Sequence, residues 1–218
     1  MSIQLVIFDL DGTLADTRLD LVNAVNATRA DMGLAPLTNQ QVYSYVGNGA
    51  PELIRRSLGE AASDAEVVSA TRFFLNYYRE HVLDLTTLFP GVKESLDILR
   101  AAGKQMAVLT NKPEGMSRTI VDGLDVGRCF FRVYGGDSLV TRKPDPLGVA
   151  ELIKEAGATA AATVLVGDSS VDVITARNAG ILCAAVTYGF QPETLADPVP
   201  DLLVDRMEDV VKWILSRS

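Results

Sequence analysis

The residues that most often declare chemistry are scarce in this chain. Its 218 residues include two cysteines, one histidine and one tryptophan. Cys129 and Cys183 both lie in apolar, strand-like surroundings with no histidine near either. They read as reduced, buried core residues, and neither a metal site nor a nucleophile is built from them. The single histidine, His81, reads as an ordinary helix residue. No apolar stretch approaches membrane-spanning length, which excludes a transmembrane helix. The N-terminal apolar run is a few residues long and leads into two aspartates, so it is not a signal peptide. Positive charge is also short: 20 basic residues against 28 acidic, a net of −8. That balance argues against nucleic acid or an anionic membrane as partner. It fits an anionic substrate only if the site brings its own positive charge. The expected compartment is the cytoplasm. With 48% hydrophobic and 22% charged residues, the composition is that of a globular domain accompanied by a smaller one.

What is present begins in the first fifteen residues. Leu5-Val6-Ile7-Phe8 is a continuous apolar run, broken by Asp9-Leu10-Asp11-Gly12-Thr13-Leu14. This pattern predicts a buried strand ending in a functional turn. Residues 16–84 then change character, and helix signals follow one another. Asp16 or Thr17 can cap a helix running to about Met32, and Gly33 stops it. Thr38-Asn39-Gln40-Gln41 and Ser63-Asp64-Ala65-Glu66 are capping boxes. Gly47-Asn48-Gly49 separates two helices, and Pro51 suits a first helical turn. The second box opens a long helix carrying Val67, Phe73, Phe74, Tyr77 and Tyr78, an aromatic cluster expected to form helix-bundle core.

From residue 85 onward, strands and helices alternate. Strands are expected at 105–109, 129–134, 163–166, 182–187 and Leu202–Val204. Helices are expected at 92–102, 114–124, from Asp145 to Gly157, at 170–179 and around Trp213. Alternation with short connections predicts a doubly wound parallel sheet covered on both faces, a Rossmann-like α/β core. The core would comprise 1–15 and 85–218, and 16–84 an inserted helical cap. In such sheets ligands sit beyond the carboxyl ends of the strands. There the chain places Asp9 and Asp11, then Thr110-Asn111, then Lys143, then Gly167-Asp168-Ser169-Ser170 with Asp172. Asp168 and Asp172 are four apart, which puts both on one face of a helical turn.

Asp9, Asp11, Asp168 and Asp172 bring four negative charges against the one positive charge of Lys143. Such an excess neither welcomes an anion nor persists half-buried without compensation. A divalent cation relieves most of it. The donors are hard oxygens with no His or Cys cluster, which favours Mg²⁺ over Zn²⁺. A metal on carboxylates beside a lysine, a hydroxyl and free backbone amides suits phosphoryl transfer.

These four clusters, in order and at strand ends, resemble the motifs of the haloacid dehalogenase superfamily. The resemblance implies that Asp9 is a nucleophile forming an aspartyl-phosphate, and that Asp11 is the general acid/base. It implies phosphate binding by Gly12, Thr110, Asn111 and Lys143. Mg²⁺ would rest on Asp9, the main-chain carbonyl of Asp11, and Asp168, with Asp172 as ligand or supporting group. Asp11 speaks against the dehalogenases, which lack a second aspartate. The insert has no lysine for a phosphonatase Schiff base, the first in the chain being Lys93. Thr13 stands where sugar phosphomutases of the group usually carry Val. A simple phosphatase remains, acting on a small phosphorylated metabolite.

Val46-Gly47-Asn48-Gly49-Ala50 and Thr110-Asn111-Lys112-Pro113 resemble the phosphoglycolate phosphatase branch, pointing to 2-phosphoglycolate. Gly47, Asn48 and Gly49 would form a loop lowered over the substrate. Arg55 or Arg56 would meet a substrate carboxylate, a solvated helix face being the equal alternative. The rival functions are a sugar phosphomutase, a pyrophosphatase, or an inactive relative kept for binding. A monomer or a homodimer is expected.

Overall fold

In the computed structural model, which describes residues 2–217, strand β1 (Leu5–Phe8) lies at the centre of a six-stranded parallel sheet. It has a strand on each side and helices on each face, so its four residues are all buried. Successive side chains point to opposite faces of a strand. Val6 and Phe8 accordingly join one hydrophobic cluster, Leu5 and Ile7 the other.

The chain leaves β1 through the turn at residues 9–14, forms the short strand β2 (Ala15–Asp16), and enters four helices. These are α1 (Arg18–Asp31), α2 (Asn39–Tyr43), α3 (Ala50–Leu58) and α4 (Asp64–Glu80). Both expected capping boxes are present, Thr38 with Gln41 and Ser63 with Glu66. Pro51 lies in the first turn of α3. Helices α1 and α3 pack on α4, and this helical cap buries Ile54, Phe74 and Tyr78. Thr17 precedes α1 without capping it by its side chain. Its hydroxyl donates to Asp11 Oδ1 at 2.6 Å instead.

The chain returns through β3 (Thr87–Leu88), which pairs antiparallel with β2. The two crossings between cap and core are therefore hydrogen-bonded to each other. A buried carboxylate fastens them further. Asp20 accepts from the N–H of Leu85 and of Thr86 and from the Thr86 hydroxyl at 2.8–3.0 Å.

Then come α5 (Val92–Ala101), β4 (Gln105–Leu109), α6 (Glu114–Gly123), β5 (Arg132–Tyr134) and α7 (Leu147–Ala156). They are followed by β6 (Thr163–Gly167), α8 (Ser170–Ala179), β7 (Leu182–Val186), β8 (Leu202–Val204) and α9 (Met207–Ser216). The strand order is β5-β4-β1-β6-β7-β8. The expected strand at 129–134 is corrected: a single 3₁₀ turn covers Gly127–Cys129, and only Arg132–Tyr134 pairs. Cys129 is thus half-buried rather than a core residue, whereas Cys183 is buried on β7. Helices α5, α6 and α9 contribute to the Val6/Phe8 cluster, and α7 and α8 to the Leu5/Ile7 cluster. The topology reverses direction at β1, since β4 and β5 lie on one side and β6 to β8 on the other. Such a switch point opens a crevice at the carboxyl ends of the strands.

Candidate active site

The register determines what meets at that crevice. Phe8 is paired with Val108 of β4 on one side and Val166 of β6 on the other. Asp9, Thr110 and Asp168 follow these strands closely and emerge at one edge. The ladders hold their backbones: Asp9 N–H donates to Val166 at 2.9 Å, and Thr110 N–H to Tyr134 at 3.0 Å. After Asp9 the chain turns tightly, with the N–H groups of Leu14 and Ala15 both reaching Leu10 O at 3.0 Å. Gly12 is required in this turn on two grounds. Its φ is +83°, and a Cβ built there would lie 2.1 Å from Asp168 Oδ2.

Three carboxylates converge. One oxygen from each of Asp9, Asp168 and Asp172 lies within 4.8 Å of the others, and all three residues are buried. Lys143 stands among them, its Nζ 2.6 Å from Asp172 Oδ1 and 2.9 Å from Asp9 Oδ1. The contact to Asp9 is an ion pair without hydrogen-bond alignment, and among the described residues Asp9 Oδ1 has no other donor. Burial pushes the Asp9 carboxyl up to about 6, although Lys143 draws it down, with Asp172 adding to the rise. Burial, then Asp172 and Asp9, hold the Asp168 carboxyl well above the usual range. Burial works against the Lys143 charge, but Asp172 and Asp9 outweigh it and the ammonium is held firmly protonated.

Asp168 and Asp172 meet by a different route from a shared helical face. Asp168 precedes α8, where Ser169 is the N-cap. Asp172 is the acid of a capping box: its Oδ2 accepts from the N–H of Asp168, the N–H of Ser169 and the Ser169 hydroxyl at 2.9–3.2 Å. With Oδ1 on Lys143, both oxygens of Asp172 have partners. Asp168 accepts from the Thr13 hydroxyl at 3.3 Å and the Phe190 N–H at 2.8 Å. A cluster of buried hard oxygens, one of them without an aligned donor, fits a magnesium ion.

The carboxylate of Asp11 stands apart from this cluster. It is held by Lys112, whose Nζ lies 2.9 and 3.1 Å from its two oxygens. The same ammonium donates to the hydroxyl of Tyr78 on α4 at 2.7 Å. Lys112 is buried, only 6% exposed. Burial works against its charge, yet Asp11 and Tyr78 outweigh that and its pKa rises. In the sequence Lys112 stands out only within Thr110-Asn111-Lys112-Pro113, with no role of its own, and Tyr78 is expected in the bundle core alone. The signal available was a lysine directly after Thr110-Asn111, at a strand end that already carried a motif.

The cap loop closes the other side. Asn111 Nδ2 donates to Gly47 O and to Lys143 O, both at 3.0 Å, so its two amide protons are committed to carbonyls. Thr110 Oγ1 accepts from Lys112 N–H at 3.3 Å, and Thr110 lines the crevice. Gln191 Nε2 reaches the carbonyls of Ser44 and Val46 at 2.9 Å. The cleft between cap and core is lined by Asp9, Asp11, Gly47, Gly49, Lys112 and Asp168 among others, and Asn48 lies outside the lining. The cleft encloses a cavity of about 60 Å³. Arg55 and Arg56 do not face it. They are exposed and paired with Asp64 and Glu52. His81 closes the end of α4, stacked on Tyr77 and paired with Asp84, away from the cleft.

A buried carboxylate stands at the end of β1, with a lysine and further acid groups gathered around it. The family model for haloacid dehalogenase-like hydrolases matches residues 6–186. The chain belongs to that family. A phosphoglycolate phosphatase of Pseudomonas fluorescens is 37% identical over 218 residues, covering 97% of this chain and 80% of its own length. Phosphoglycolate phosphatase 1 of Pseudomonas aeruginosa is 38% identical over 95% of this chain and 78% of its own. A crystal structure described as a predicted phosphoglycolate phosphatase from Haemophilus somnus superposes with a TM-score of 0.92 at 32% identity, covering 98% of both chains.

Proposed function

We propose that this chain is a Mg²⁺-dependent phosphatase that cleaves a small phosphomonoester, 2-phosphoglycolate, through an aspartyl-phosphate. One observation carries the reading: Lys143 sits between Asp9 and Asp172 with Asp168 beside them, at the switch point of the sheet. The relatives named phosphoglycolate phosphatase support the ester and the substrate.

Asp9, the main-chain carbonyl of Asp11, and Asp168 would hold the metal, with Asp172 orienting its neighbours. Bound there, Mg²⁺ supplies charge that offsets the carboxylates and the phosphoryl oxygens. The remaining chemistry belongs to the side chains. A carboxylate oxygen of Asp9 forms a bond to phosphorus as the ester P–O bond breaks, and Asp11 gives its proton to the departing oxygen. Asp11, now ionised, takes a proton from a water whose oxygen attacks the aspartyl-phosphate. The bond between Asp9 and phosphorus breaks, and inorganic phosphate leaves. Thr110 and Lys143 hold phosphoryl oxygens. Asn111 positions Lys143 and the loop at Gly47. Residues 16–84 act as a cap that opens for exchange about the β2–β3 pair and closes to exclude water.

The test is phosphate release from 2-phosphoglycolate, an aryl phosphate, sugar phosphates, nucleoside monophosphates and pyrophosphate, with and without Mg²⁺. Turnover of 2-phosphoglycolate that needs Mg²⁺ and is lost in Asp9→Asn is expected. Equal rates in wild type and Asp9→Asn would overturn the mechanism.

A further inference from the structure

The charges lining the cleft bear on which end of the substrate is recognised. Asp9, Asp11 and Asp168 all face it, and among the described lining residues the one cation is Lys112. Lys143 is not a lining residue; paired with Asp9 and Asp172, it serves the phosphoryl end of the substrate rather than the far end. Arg55 and Arg56 are exposed and paired elsewhere. Arg142 is exposed and lies beside Gly49, outside the lining set.

The ammonium of Lys112 bridges the two halves of the molecule. It reaches Asp11 of the core and the hydroxyl of Tyr78 on the cap, and lies 4.5 Å from the Tyr78 ring centre. A buried ammonium needs an anionic partner, and here that partner is the carboxylate proposed as acid and base. Asp11 cannot remain clamped by Lys112 and also turn to the departing ester oxygen. A second anion must take its place beside the ammonium.

We infer that Lys112, steadied by Tyr78, is the specificity-determining residue that binds a carboxylate on the non-reacting end of a short phosphomonoester and thereby releases Asp11. The inference rests on the phosphatase reading and deepens it. A substrate carboxylate replaces the Asp11 carboxylate on Nζ, so the buried positive charge stays paired throughout, and the released Asp11 takes up a proton from solvent water, which it then gives to the departing ester oxygen. An ester without a carboxylate at its far end leaves Lys112 on Asp11, and the acid stays held away. Recognition of the far end is thus converted into catalytic readiness, and discrimination appears in kcat as well as KM.

The experiment compares 2-phosphoglycolate with ethyl phosphate, which has the same short chain and no carboxylate. Wild type is expected to favour 2-phosphoglycolate in kcat/KM by about a hundredfold, the scale of a desolvated charge pair. Lys112→Met is expected to bring that ratio close to unity. Lys112→Arg is expected to retain a preference of about tenfold or more, and the exposed Arg142→Gln to leave the ratio as it is. A ratio unchanged in Lys112→Met, or one that collapses in Arg142→Gln, overturns the inference. Calorimetric titration of Asp9→Asn with both esters and Mg²⁺ separates binding from turnover. A carboxylate preference there that vanishes when Lys112→Met is added supports the inference even if no ester is hydrolysed, a result that would sink the phosphatase reading alone. No preference in binding or in turnover sinks the inference alone. Should Lys112→Met not fold, Lys112→Arg and Tyr78→Phe carry the comparison. Both keeping the full wild-type ratio and its split between kcat and KM would overturn it.

Discussion

The ammonium of Lys143 sits 2.6 Å from Oδ1 of Asp172, and both groups are buried. Asp172 in turn accepts from the amides of Asp168 and of Ser169, the N-cap of α8, and Lys143 pairs with Asp9. The pair therefore ties the loop before α7 to the start of α8 and sets Asp9 beside them. Removing one partner of a buried ion pair leaves an uncompensated charge, which costs about 3–5 kcal/mol. Lys143→Met should lose that much stability in urea unfolding. The double variant Lys143→Met with Asp172→Leu should lose less than the two single changes added together. Strict additivity would show that the two groups are not coupled.

Gly12 tests how closely the turn approaches Asp168. Any side chain there meets the Asp168 carboxylate at 2.1 Å and must also adopt a φ of +83°. Gly12→Ala should push Asp168 out of the acidic cluster. A weakening of Mg²⁺ affinity by about 10–100-fold is expected, read by calorimetry on folded protein. Unchanged affinity would show that Asp168 does not hold the metal.

The raised Asp9 carboxyl, at about 6 rather than 3.8, has a defined pH sign. Between those values the native protein keeps a proton that the unfolded chain has released. Stability of the metal-free protein therefore declines as pH rises through that window and stays low above it. Midpoints of thermal unfolding should be higher at pH 5 than at pH 7 without metal, and Mg²⁺ should raise the value at pH 7. In kinetics, the acid limb of kcat/KM should lie near pH 6 when Mg²⁺ is limiting, and move lower at saturation. A limb that ignores Mg²⁺ would separate Asp9 from the metal.

Two core amides hold the cap loop: Asn111 on Gly47 O, and Gln191 on the carbonyls of Ser44 and Val46. Gln191→Ala should loosen residues 43–49 while leaving the sheet intact. Faster amide exchange in that segment, by about tenfold per hydrogen bond lost, is the expected readout. A matching rise in KM should accompany it. Exchange at the wild-type rate would mean that packing alone holds the loop.

Much of this was legible in one dimension. The run Leu5–Phe8, the capping boxes at Thr38 and Ser63, and the glycine stops at Gly157 and Gly180 are local signals, and each appears where expected. The strand at 129–134 misled because Cys129, Phe130 and Phe131 are apolar, yet the backbone there forms a 3₁₀ turn before β5 begins. For Arg55 and Arg56 the sequence leaves a substrate carboxylate and a solvated helix face equally open; Asp64 and Glu52 pair with them on the surface, which decides for the second.

By itself the sequence determined the kinds of element, their order and the polar clusters at strand ends, because hydrophobic periodicity and caps act over a few residues. Only the tertiary structure decided partners. It placed Asp172 under Lys143, parted Asp11 from the acidic cluster and gave it to Lys112, and brought Tyr78 of the cap to the same ammonium. Such pairings join residues dozens to a hundred positions apart. They follow from strand register and from the cost of leaving a buried charge alone, and no local pattern records either.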